Sequence, residues 1–127
     1  MRVFVCLTAA LVASAALAVS NSQAAGNAED GASTFNRTCA ACHATAADAP
    51  NRIGPTLFGV VGRKSASVPG FRYSEANKKA GLTWTPETLD KYLADPKGTV
   101  PGTTMVFAGV KKDDERANLI AYLETLK

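Results

Sequence analysis

The chain reads as all-α, with three main helices, shorter ones between them and long ordered loops. Three observations lead there. Apolar residues recur at helical spacing in separate segments, each segment carries its own start and stop signals, and no run alternates polar with apolar residues as a half-buried strand would. No internal repeat is present.

The first helix opens at Ala28-Glu29-Asp30-Gly31-Ala32-Ser33-Thr34-Phe35, whose acidic residues in the first turn suit the helix dipole. Gly31 should cost this helix about 1 kcal/mol relative to Ala. Close approach of another helix would account for it, with Phe35 packing one turn further on. From Ala44 to Phe71 the chain is broken by Pro50, Gly54-Pro55, Gly59, Gly62 and Pro69-Gly70, and reads as loop. Ser74 caps a short helix that Gly81 ends. Thr85-Pro86 opens another, Leu89, Tyr92 and Leu93 form its apolar stripe, and Asp95-Pro96 stops it. Lys97 to Val110 reads as loop again and holds Met105. Asp113, Asp114 and Glu115 start a terminal helix whose broad apolar face comes from Ala117, Leu119, Ile120, Tyr122, Leu123 and Leu126. Loops of such length need something to hold them in place.

Between the first helix and the first loop stands Cys39-Ala40-Ala41-Cys42-His43. This is the attachment pattern of a c-type haem. Each thiol adds across one vinyl group of the porphyrin, and on one helical turn the two sulfurs lie on nearly the same face. The imidazole of His43 follows within reach of the iron. A covalently bound haem would be the body around which the long loops wrap.

The chain has three Cys, one His and two Met. Cys6 lies in an N-terminal apolar run and Met1 is the initiator, so Cys39, Cys42, His43 and Met105 are the only thiols, imidazole and thioether of the rest. Structural zinc wants four such Cys or His ligands, and only three are available outside the apolar run. Two other readings remain: a haem protein with an open iron, and a thiol–disulfide oxidoreductase using Cys39 and Cys42. The first lacks a second histidine or a distal acid–base pair; the second would want a preceding strand.

Residues 1–24 have the form of a secretory signal. Arg2 gives a minimal positive region, Val3 to Val19 is apolar apart from Thr8 and Ser14, and Ser22-Gln23-Ala24 offers a cleavage site after Ala24. The run is slightly short for a full membrane span. Residues 25–127 then form one domain of about 100 residues. Arg2 is the only charged residue of the first 24, so that domain carries 13 basic against 11 acidic side chains. Two haem propionates would bring the balance near zero, and neither a nucleic-acid nor a membrane-surface role is expected.

Taken together, several motifs resemble those of the class I cytochromes c of the mitochondrial type, from about Gly31 to Leu126. They are Cys39-Ala40-Ala41-Cys42-His43; Gly54-Pro55-Thr56-Leu57; Gly62-Arg63-Lys64; Pro69-Gly70-Phe71-Arg72-Tyr73-Ser74; Ala76-Asn77; Thr83-Trp84; Tyr92-Leu93; Pro101-Gly102-Thr103-Thr104-Met105; and Phe107-Ala108-Gly109. The resemblance implies one haem c held through Cys39 and Cys42, with His43 and Met105 as axial ligands and the Pro55 carbonyl orienting His43. It implies that Tyr73 and Trp84 bond a propionate with Arg63 nearby, and that Tyr92 and Asn77 serve a hydrogen-bond network near the Met105 sulfur. Gly31 and Phe35 would meet Leu119 and Tyr122 at a contact between first and last helices.

The function implied is a one-electron carrier, not an enzyme, passing electrons in a respiratory or photosynthetic chain. Its partners would be membrane-bound and soluble redox proteins: a quinol-oxidising complex, an oxidase, a reaction centre or a dehydrogenase. Two departures stand out. Thr45 and Thr104 occupy positions where the family often has lysine, leaving Arg52, Lys97, Lys111 and Lys112 as a weaker positive rim. The signal-like segment, which mitochondrial members lack, points to a bacterial protein exported to the periplasm, a monomer without stable membrane insertion after cleavage.

Overall fold

The computed structural model describes residues 26–127. The signal segment and its cleavage after Ala24 lie outside the described residues. Five helices follow in order: α1 Ala28–Thr38, α2 Glu75–Ala80, α3 Pro86–Ala94, α4 Pro96–Thr99 and α5 Asp113–Glu124. Among the described residues there is no sheet, only an isolated antiparallel bridge between Lys64 and Thr83.

The two terminal helices pack on one another. Asn27 caps α1, its side-chain oxygen accepting from the amides of Glu29 and Asp30. Its own amide donates to the side chain of Asn118 on α5 at 2.7 Å. Gly31 sits where α1 meets α5, and a Cβ there would run into the Asn118 carbonyl. One turn later Phe35 lies against Tyr122, ring centroids 5.3 Å apart. The poor helix former is therefore the residue that lets the two backbones touch, as the sequence suggested.

The shorter elements follow their predicted signals. The Ser74 hydroxyl accepts from the Asn77 amide at the start of α2, and Gly81 ends it in the left-handed conformation. Thr85 caps α3, with Pro86 in its first turn. Leu89, Tyr92 and Leu93 are buried and join Leu119, Ile120 and Leu123 of α5, with Phe35, Val60, Trp84, Val100 and Val110, in one core.

One expectation needs correction. The stretch beyond Ala94 is not all loop: Pro96–Thr99 forms the helical turn α4. Asp95 and Pro96, read as a stop, also act as a start. The Asp95 carboxylate accepts from the Gly98 amide at 3.0 Å, and proline is favourable at a first helical position. A second finding concerns Arg116. It stands on the buried side of α5, 7 % exposed, where an apolar stripe leaves no obvious room for a charge. Its guanidinium is satisfied by Asp90, Asp113 and the Val110 carbonyl.

Candidate haem site

α1 ends at Thr38, because the amides of both Cys39 and Ala40 return to the Phe35 carbonyl. The Cys-Xaa-Xaa-Cys-His segment then makes a turn of its own, closed by the amides of Cys42 and His43 on the Cys39 carbonyl, each at 3.0 Å. Both cysteines line a cavity between the loops and helices. Burial pushes the Cys39 thiol up from its ordinary pKa, with a smaller upward push from Cys42 against the Thr38 hydroxyl, which lowers it.

His43 lines the same cavity, and its Nδ1 is 2.8 Å from the Pro55 carbonyl. A carbonyl only accepts, so Nδ1 carries the proton and Nε2 keeps its lone pair. Burial lowers the pKa of the ring, the Pro55 bond raises it, and Arg52 and Arg63 lower it further. The neutral imidazole that results is the form a metal takes. Gly54 braces the ring from behind. Its amide donates to the Cys42 carbonyl at 2.9 Å, and a Cβ on it would collide with the imidazole. Gly54→Ala is therefore expected to tilt the ring and to destabilise the folded protein by about 1–3 kcal/mol, as overpacking does. Chemical denaturation of the holoprotein measures the loss.

Met105 lines the same cavity. The Tyr92 hydroxyl lies 3.8 Å from its sulfur. Its amide donates to the Thr103 hydroxyl at 3.3 Å, and that hydroxyl donates to the Asn77 side-chain oxygen at 3.0 Å. The same oxygen accepts from the Ser74 hydroxyl at 2.7 Å. The cap of α2 and the Met105 segment thus share one acceptor. The sequence pointed to Tyr92 and Asn77 but not to Ser74 and Thr103, whose hydroxyls both bond the Asn77 side chain. Ser74 had been legible only as a cap, and Thr103 only as part of a motif.

Arg63, Tyr73 and Trp84 also line the cavity. Arg63 donates to the carbonyls of Phe58 and Thr56 at 2.7 and 2.9 Å. The Tyr73 hydroxyl accepts from the Val68 amide at 3.1 Å. The Trp84 ring lies 4.8 Å from that of Tyr92. All ten residues singled out from the sequence therefore line one cavity: Cys39, Cys42, His43, Pro55, Arg63, Tyr73, Asn77, Trp84, Tyr92 and Met105.

The donor set suits a covalently attached haem. Two thiols, a neutral imidazole and a thioether all line the cavity. Leu57, Val60, Leu89, Leu93, Phe107, Leu119 and Leu123 supply apolar surface for a porphyrin, and no carboxylate lines the cavity. Of the cations expected at the rim, three have local partners. Arg52 donates to the Ala40 carbonyl, Lys111 to the Ala94 carbonyl, and Lys112 pairs with Glu115.

Residues 28–127 match the family profile of cytochrome c. The chain belongs to the cytochrome c family. Cytochrome c type-1 of Ascaris suum is 54 % identical over 99 residues, which is 78 % of this chain and 88 % of that one. Cytochrome c2 of Rhodoplanes tepidamans is 52 % identical over 95 residues, 75 % of this chain and 88 % of that one. Among solved structures, cytochrome cH from Methylobacterium extorquens superposes with a TM-score of 0.74 at 46 % identity, covering 79 % of this chain and 99 % of that one. As a cytochrome c, the chain is an electron carrier with one covalent haem c, and Cys39 and Cys42 are its attachment pair. Its fold is that of the class I cytochromes c. Among the described residues no helix is long and apolar enough to cross a membrane.

Proposed function

We propose that His43 and Met105 fill both axial positions of the haem iron, and that the protein serves as a periplasmic shuttle between redox proteins. The observation that carries this reading is one imidazole and one thioether on the same cavity, each held by its own partner. Pro55 fixes the histidine, and Tyr92 lies against the methionine sulfur. When bound, the haem would supply a one-electron couple: its iron would take an electron from the donor partner, Fe(III) becoming Fe(II), and return to Fe(III) on passing it to the acceptor.

The residues of the chain set the conditions for that exchange. With both axial positions filled by protein side chains, no site is left for a substrate, and the chain acts without catalysis of its own. Pro55 keeps the imidazole in one tautomer and orientation. Tyr92, Asn77 and Thr103 hold the methionine segment. With His43 held by Pro55 and Met105 beside Tyr92, a bound haem would change geometry little on reduction. The thioether and the apolar lining both favour the ferrous state, which raises the potential. Tyr73 and Trp84 would bond a propionate, with Arg63 offsetting its charge.

Residues 1–24 direct export, with cleavage after Ala24 and residues 25–127 as the mature domain. Partners are the redox proteins of a respiratory or photosynthetic chain: a quinol-oxidising complex, an oxidase, a reaction centre or a dehydrogenase. They dock transiently through a small interface.

Visible spectroscopy of the purified holoprotein tests the ligation. The ferric form should show a sulfur-to-iron charge-transfer band, and the ferrous form should bind carbon monoxide poorly at neutral pH. Ready carbon monoxide binding without denaturant would replace this reading with an open-haem protein. The midpoint should be positive against the hydrogen electrode.

A further inference from the structure

We infer that the ion pair between Arg116 and Asp90 is a latch that holds the Met105 segment against α3 and so positions the thioether. This rests on the reading of Met105 as a ligand. The loop between α4 and α5 carries Met105, and its far end is tied down at several points. The Val110 amide donates to the Leu93 carbonyl at 2.7 Å. The Lys111 ammonium donates to the Ala94 carbonyl at 2.6 Å. Gly109 passes so close to Ala94 that a side chain there would meet its carbonyl.

Arg116 joins these to α5. Its Nη1 donates to the Val110 carbonyl at 2.9 Å, its Nε to Asp90 at 2.6 Å and its Nη2 to Asp113 at 2.8 Å. The three bonds run to three places: the end of the Met105 loop, α3, and the first turn of its own helix. Asp90 and Tyr92 lie on the same short helix, so the pair sets where the loop sits relative to the hydroxyl beside the Met105 sulfur. Asp113 is 94 % exposed and screened by water, whereas Asp90 is less than half exposed. Asp90 is therefore the stronger of the two counter-ions to a cation that is itself buried.

A loop held this way opens locally without unfolding the domain. An added ligand that competes with Met105 reads the open fraction directly, since its apparent affinity rises in proportion to that fraction. Arg116→Ala removes a buried cation and three bonds together and can fail to fold, so the test acts on Asp90. Four holoproteins are compared: wild type, Asp90→Ala, Asp90→Glu, and Asn118→Ala as a control at the contact between α1 and α5. Each is titrated in the ferric form with imidazole, and exchange of the Val110 amide is followed by nuclear magnetic resonance.

Asp90→Ala should raise the apparent imidazole affinity about tenfold and speed Val110 exchange by a similar factor. Asp90→Glu should stay near wild type, and Asn118→Ala should change both by less than about twofold. The latch is overturned if Asp90→Ala moves neither readout, or if Asn118→Ala moves both as much. A wild-type ferric spectrum without the charge-transfer band would sink the ligation reading instead. Val110 exchange, which needs no iron ligand, would still report whether the pair holds the loop.

Discussion

Replacing Met105 with Ala should abolish the sulfur-to-iron charge-transfer band of the ferric protein and lower its midpoint potential by on the order of 100 mV, within the roughly 0.8 V that axial ligands span. The reason is a matter of inventory as well as geometry. Apart from Met1, Met105 is the only thioether of the chain. It lines the cavity that also holds His43, with the Tyr92 hydroxyl beside its sulfur. No second histidine exists to take its place. The variant should accordingly bind carbon monoxide readily in the ferrous form. Its backbone anchor, the Met105 amide on Thr103, survives the substitution. Spectroscopy and redox titration of the variant therefore read ligation more than folding. A variant that kept the band and the potential would show that some other group ligates the iron.

Gly31→Ala should destabilise the protein by about 2 kcal/mol, although alanine is the better helix former. Two effects oppose each other. Helix propensity favours alanine by about 1 kcal/mol. Against it, the new methyl would press into the Asn118 carbonyl and lie 2.8 Å from the Tyr122 Cβ. Most of that contact is backbone, which no change of rotamer relieves, so the cost falls at the upper end of the 1–3 kcal/mol typical of overpacking. The net loss corresponds to a fall in Tm of roughly 8–16 °C for a domain of this size. Thermal unfolding of the holoprotein measures it. A rise in Tm would mean that α1 and α5 can separate at this point without loss, and the close contact would not be a source of stability.

The fold was readable in the sequence wherever a local rule was sufficient. Ser74 and Gly81 bound α2, and Thr85 with Pro86 starts α3, because a cap depends only on residues within one turn. Asp95-Pro96 shows the limit of such rules. The same pair ends one helix and begins the next, and only the path of the chain afterwards separates the two outcomes. Arg116 shows another limit. Its buried position requires Asp90 on a helix more than twenty residues earlier, together with a carbonyl from the Met105 loop. Nothing near it in sequence announces either partner. Arg52 and Lys111 show the same limit: each donates to a carbonyl that only the fold brings near.

The sequence by itself determined the chemistry of this protein. Two thiols, one imidazole and one thioether were named by type and count, because covalent attachment and ligation depend on which atoms a side chain carries. Only the tertiary structure decided how those atoms are held. The Pro55 carbonyl on His43, the Asn77 oxygen shared by Ser74 and Thr103, and the Arg116 latch on α3 all join segments far apart in the chain. Hydrogen bonds are short and directional, so such pairings exist only once packing has set the distances.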